Sequence, residues 1–152
     1  MLRFRTFRAL LLLAPLAAGC GDNNSTNTPT GPGPVQVSQT FTSEDDPSPA
    51  ADVTGPLNPN GGRTHAFTVQ QAGTVTATLT ALGPDDTVIV GLSLGTWNVN
   101  TQVCQVSLRN DAAKVTNTVT GAAQQTGNFC VSIYDVGRLT GPTTYSIVVT
   151  HF

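Results

Sequence analysis

Between residues 66 and 150 the chain alternates apolar and polar positions with a period of two. Val75, Ala77, Leu79 and Ala81 interleave with Thr74, Thr76, Thr78 and Thr80. That is the pattern of a strand with one face in a core and a threonine face outward. Phe67 and Val69 alternate with Ala66, Thr68 and Gln70, and Val88, Val90, Leu92 and Leu94 with Ile89, Gly91, Ser93 and Gly95. Val115 and Val119 are flanked by Thr116, Thr118 and Thr120. Phe129, Val131 and Ile133 alternate with Cys130, Ser132 and Tyr134, and Tyr145, Ile147 and Val149 with Ser146, Val148 and Thr150. Turn chemistry separates these runs at Gln71-Ala72-Gly73, Gly83-Pro84-Asp85-Asp86, Arg109-Asn110-Asp111, Thr126-Gly127-Asn128 and Thr140-Gly141-Pro142. No window after residue 20 sustains the spacing of an amphipathic helix. Short strands without intervening helices predict an all-β chain folded as an antiparallel β-sandwich over residues 35–152.

Two stretches interrupt the alternation. Residues 43–62 (SEDDPSPAADVTGPLNPNGG) are irregular, and a loop of that length is either functional or a plain crossover. Residues 21–34 (GDNNSTNTPTGPGP) contain nothing that joins a core. They read as a flexible-to-extended spacer, able to reach about 40 Å at roughly 3 Å per residue.

The N-terminus has a different logic. Arg3, Arg5 and Arg8 precede an apolar run, Ala9 to Ala18, interrupted by Pro15. This is the length of a signal-peptide core and too short to span a bilayer. The run ends Leu16-Ala17-Ala18-Gly19-Cys20, which resembles the lipobox of bacterial lipoproteins. The resemblance implies removal of residues 1–19 as a lipoprotein signal peptide and acylation of Cys20. A single acyl chain anchors only reversibly, at about 0.8 kcal/mol per buried CH₂. Lipoproteins of this kind carry more than one chain, which implies a stable attachment to the membrane. Position 21 is Gly rather than the Asp associated with inner-membrane retention in enteric bacteria, so the expected address is the outer membrane.

Signal removal changes the charge. The full chain has 7 Lys+Arg against 9 Asp+Glu, too weak a basic field for a nucleic-acid partner. Without the three signal arginines, Arg63, Arg109, Lys114 and Arg138 face nine acids, a formal net of -5. Only 11% of residues are charged, against ~25% in an average soluble domain, because threonine supplies the polar strand faces. Beyond Cys20 the cysteines are Cys104 and Cys130, and an exported domain with one pair reads as disulfide-bonded.

The order of elements over residues 65–151 resembles the bacterial pre-peptidase C-terminal (PPC-like) domain. The matching segments are Phe67-Thr68-Val69, Ala72 to Leu79, Gly127 to Tyr134 and Tyr145 to Val149. The aspartate-rich strand of many members is replaced by Asp85-Asp86-Thr87-Val88-Ile89-Val90. The fold implied is a jelly-roll-like β-sandwich, and the role implied is a non-catalytic accessory module, sometimes binding substrate or calcium.

Candidate chemistry is sparse. Gly91-Leu92-Ser93-Leu94-Gly95 matches G-x-S-x-G, yet a hydrolase needs that serine on a strand-to-helix elbow beside a histidine. The continuous alternation predicts an outward strand serine instead, and a non-enzyme. His65 and His151 lack metal-ligand spacing and are expected as surface or cap residues. Asp45, Asp46, Asp85 and Asp86 sit in acidic turns where calcium would find oxygen ligands if two loops converged. Trp97, near Asn98 and Asn100, has the flat apolar face that stacks a sugar ring, with Tyr134 as an assisting aromatic. The expected partners are therefore the membrane, through the anchor, and a glycan or an envelope protein.

Overall fold

The computed structural model describes residues 35–44 and 55–152. The expected signal peptide and spacer, Cys20, Asp45 and Asp46 lie outside the described residues. Eight strands run in order: β1 Val37–Thr42, β2 Gly62–Val69, β3 Gly73–Gly83, β4 Val90–Asn98, β5 Val103–Ala113, β6 Thr118–Ala123, β7 Gly127–Asp135 and β8 Thr144–His151. They form two four-stranded sheets, ordered β1-β8-β3-β6 and β2-β7-β4-β5, with every pairing antiparallel. Successive strands mostly switch sheets, which is the winding of a jelly roll.

The inward faces obey the alternation. Val75, Ala77 and Leu79 of β3, Leu92 and Leu94 of β4, Val131 and Ile133 of β7, and Tyr145, Ile147 and Val149 of β8 are all buried. Ala81 departs from the expectation. The register between β3 and β8 shifts between Leu79 and Ala81. One extra residue on a strand reverses the facing of the residues beyond it, so Ala81 is exposed and Leu82 is buried. Val88 and Val115 lie in connections rather than strands and still pack, partly buried, against the core.

Two strands escape the pattern. β1 and β5 are both sheet edges, and β5 is exposed along most of its length. Arg109-Asn110-Asp111, expected as a turn, lies within β5. That stretch contains an irregularity opposite Val90 to Leu92, and polar residues are tolerated there because an edge strand is wetted.

The histidines are not at the surface. His65 is fully buried on β2 and His151 is nearly so on β8. His65 Nε2 shares a 2.8 Å hydrogen bond with Tyr145 Oη, a polar link between the two sheets inside the core. Phe41 stacks on His65 at 5.0 Å, and Phe67 stacks on His151 at 5.5 Å. Imidazole is flat enough to join an aromatic layer, and its nitrogen finds a buried hydroxyl, which meets the condition for burying a polar group. His151 Nδ1 donates to the main-chain oxygen of Phe152 at 3.1 Å.

The described end of the long irregular segment is a crossover. Leu57 is fully buried and bridges Thr143, exchanging both main-chain hydrogen bonds at 2.8 and 2.9 Å. Arg63 donates to the carbonyls of Pro56 at 2.8 Å and Gly55 at 3.3 Å. These contacts seat the chain as it passes from one sheet to the other.

Cys104 and Cys130 are bonded, with Cα atoms 5.8 Å apart and a sequence separation of 26. On the loop-entropy model that closure contributes about 3.5 kcal/mol. Replacing both cysteines by serine should lower the unfolding free energy by roughly that amount. Chemical denaturation checks it, and an unchanged midpoint would show that the bond constrains nothing.

Candidate functional site

The outer face of the β2-β7-β4-β5 sheet carries small residues along its middle strand. Along β4 the residues pointing away from the core are Gly91, Ser93, Gly95 and Trp97, by the alternation that buries Val90, Leu92 and Leu94. The G-x-S-x-G run is explained by the groups that cover it. A Cβ at position 91 would stand 2.1 Å from a ring carbon of Tyr134. At position 95 it would stand 2.2 Å from the carbonyl oxygen of Gln105. Neither site accepts a side chain without displacing an aromatic ring or a backbone. Ser93 is fully buried, opposite Ser132 on one side and Arg109 on the other. Its Oγ has no hydrogen-bond partner among the described residues. It stands in mid-strand on the side away from the core, as an outward strand serine does, and it is covered rather than open to solvent. No elbow comes after it, since β4 runs on to Asn98.

β5 shapes the groove. Opposite Leu94 and Gly95 it carries one residue too many, Ser107, and the register slips. Such a bulge bends a strand and sharpens its twist. The bend lays the start of β5 over Gly95 and brings Cys104, paired in register with Trp97, to Cys130 on β7. The result is a groove of about 440 Å³. Thr64 and Ser132 line it from β2 and β7, and Trp97, Gln102, Val103 and Val106 line it from the β4–β5 hairpin. The Thr64 and Ser132 hydroxyls bond each other at 2.8 Å. One hydroxyl hydrogen and several lone pairs remain for a guest. Asn98 builds the hairpin: its Oδ1 accepts from the amides of Asn100 and Thr101 at 3.0 and 3.1 Å. Its carbonyl accepts from Gln102, which sits at φ 55°.

Tyr134 is not part of this groove. It stands opposite Gly91, six positions along β4 from Trp97, which at about 3.3 Å per residue is roughly 20 Å. The two aromatics share a face and do not converge, contrary to the expectation that Tyr134 assists Trp97. The Tyr134 hydroxyl donates to Asp111 Oδ1, and Arg109 pairs with the other oxygen of that carboxylate at 3.5 Å.

The acidic turns are engaged by the chain itself. Asp85 accepts from Thr87 Oγ1 at 2.7 Å and from the Thr87 amide at 2.9 Å. The side-chain bond first, then the backbone one, holds its carboxyl below the ordinary range. Asp86 stands exposed beside it. Asp135, which the sequence pattern does not single out as a structural tie, joins three segments. Burial alone would raise its pKa, but bonds from the amides of Asn60, Arg138, Leu139 and Gly137 outweigh that and hold it low. Among the described residues no three His, Cys, Asp or Glu side chains gather to hold a metal ion.

No family model matches the chain, and no curated protein matches it. Among solved structures it is similar to the Yersinia pseudotuberculosis-derived mitogen, with 14% identity and a TM-score of 0.46 over 78% of this chain and 87% of that one. It is also similar to PliG of Aeromonas hydrophila, a periplasmic inhibitor of g-type lysozyme, with 13% identity and a TM-score of 0.39 over 77% and 83%. Likenesses this distant carry no argument about function.

Tyr134 offers a direct check of the outer face. Burial first, then the bond to Asp111, pushes its phenol up to about 12. The fold therefore holds the neutral form. That stabilisation is whole below the ordinary phenol value of about 10 and is lost as pH rises through 12. The chain has two tyrosines, and ultraviolet titration should show one of them ionising near 12. Asp111→Asn should lower that step only partway, because burial persists. A step that the substitution leaves in place would contradict the pairing.

Proposed function

We propose that this chain is a non-enzymatic binding module of the bacterial cell envelope, anchored by lipid on Cys20 and holding its ligand in the groove beside Trp97. The observation that carries this reading is the groove itself. It sets the one tryptophan of the chain beside an amide and a pair of hydroxyls on a rigid, disulfide-tied sheet. The disulfide fits an oxidising compartment outside the cytoplasm. The lipobox resemblance supports a membrane address, and Gly21 favours the outer membrane. The likeness to the PPC-like family adds a precedent for an accessory role without catalysis. A buried Ser93 on a straight strand offers no nucleophile.

A saccharide is the ligand class this lining favours. The flat face of an indole suits the C–H face of a sugar ring. Gln102, Thr64 and Ser132 supply donors and acceptors at the margins, and pockets of a few hundred Å³ are the size that holds such guests. The β3–β4 turn, by contrast, spends the carboxylate of Asp85 on its own turn, which leaves calcium a weaker reading.

Two experiments test these points separately. On a glycan array the mature protein should give signals that Trp97→Ala abolishes while circular dichroism stays unchanged. An empty array would remove the saccharide reading. For the anchor, Cys20→Ser should move the protein from the membrane to the soluble fraction. Continued sedimentation with membranes would remove the lipidation.

A further inference from the structure

The connectivity gives the sandwich two ends of opposite character. The near end collects the start of β1, the β2–β3 turn, the β4–β5 hairpin and the β6–β7 turn. Its exposed residues are amides, hydroxyls and small or apolar groups: Gln70 and Gln71, Asn100 and Thr101, Gln124 and Gln125. The far end collects the other connections. Every Lys, Arg, Asp and Glu among the described residues lies toward it. Glu44 comes after β1 and Arg63 begins β2; Asp85 and Asp86 are in the β3–β4 turn. Arg109 and Asp111 lie in the second half of β5, Lys114 just beyond it, and Asp135 and Arg138 at the end of β7 and after it.

Exposed apolar surface is sorted the other way. The exposed large hydrophobic residues among those described are Val35, Val37, Val99, Val103, Val106 and Leu108. They stand at the start of β1, on the β4–β5 hairpin and in the first part of β5. Val35 and Val99 are the most exposed, at 73% and 56%. Val35 is also where the described domain meets the segment leading back to Cys20. Residues 21–34 bridge at most about 50 Å even when fully extended, and they join the domain at its valine-tipped end, where no Lys, Arg, Asp or Glu side chain stands among the described residues.

We infer that this near end docks onto the headgroup region of the membrane that carries Cys20. The inference rests on the proposed lipid anchor. An anionic headgroup layer repels acidic surfaces and a bilayer disfavours bringing any charge close. Both effects favour the end without charged side chains and turn the charged end outward. Valine and tryptophan gain from the interface, tryptophan most of all because its ring is apolar with one polar edge. The surface is too small to hold a free domain on lipid. Tethering changes that, because a short linker raises the effective concentration to the millimolar range and lets weak contacts persist.

The single tryptophan, Trp97, lies at this end and serves as the probe. Mature lipidated protein is reconstituted into vesicles of phosphatidylethanolamine and phosphatidylglycerol, with Cys20→Ser protein in solution as the reference. Docking predicts a blue-shifted Trp97 emission on vesicles, lower acrylamide quenching, and quenching by brominated lipid. Val35→Asp with Val99→Asp, both outside the saccharide groove, should abolish the brominated-lipid quenching while the protein stays vesicle-bound. Vesicle-bound wild type whose Trp97 is quenched by acrylamide as readily as the free form would overturn docking and leave the anchor standing. Protection from acrylamide without quenching by brominated lipid would mean another occupant, and would overturn it as well. Failure of the lipidated protein to bind vesicles at all would remove the anchor reading and docking with it.

Discussion

A single steric requirement organises the outer sheet: β4 has no room for side chains where the carbonyl of Gln105 and the ring of Tyr134 lie over it. Glycine at 91 and 95 satisfies it. Because position 95 is bare, β5 bends across the sheet at its Ser107 bulge, and because it bends, Cys104 reaches a cysteine two strands away. The bond then holds the bend, and the bend makes one wall of the groove. Trp97 owes its setting to the same geometry, since it stands where the bare track ends. A run that reads as a hydrolase signature is here a clearance specification for one strand passing over another.

How much the alternation reveals depends on burial. β2, β3 and β8 each have one dry face and one more exposed face, so their period of two is visible from Phe67, Val75 and Ile147, and in β7 small polar residues on the covered outer face keep the same alternation legible. β5 is wet on both faces for most of its length and irregular in register. It carries no such signal, and its Arg-Asn-Asp passage imitates a turn. Ala81 breaks the expected facing because a bulge leaves no mark in the polarity pattern. The histidines mislead for a related reason. Polarity argues for the surface, and only the three-dimensional arrangement puts the Tyr145 hydroxyl across the sheet interface to meet His65. The candidate site is half visible in the sequence. Trp97 stands out as an isolated aromatic among amides, but Thr64 and Ser132 come from strands distant in sequence, and Val106 from an edge strand without a pattern. Tyr134 shares a face with Trp97 and nothing more.

The polar bonds of the domain divide by task. His65 with Tyr145 joins the two sheets within the core, where a neutral pair is easier to bury than an ionic one. Asp135 and Arg63 work at the rim, fastening irregular segments to strand ends through main-chain groups. The ion pair of Arg109 with Asp111 is exposed and contributes little by itself. Arg109 meets the oxygen of the Asp111 carboxylate that the Tyr134 hydroxyl leaves free.

The pairing of β1 with β8 has a temporal consequence. Val37 lies against His151, and β8 also separates β1 from β3. An inner strand of one sheet is therefore the last of the eight to leave the ribosome. Until it does, β1 has no partner and β3 lacks one of its two neighbours, so this sheet stays open while the other, β2-β7-β4-β5, can already pair. Folds dominated by such distant pairings assemble slowly. Ile147, paired with Phe41 of β1 on one side and Leu79 of β3 on the other, is thus where the sheet closes last.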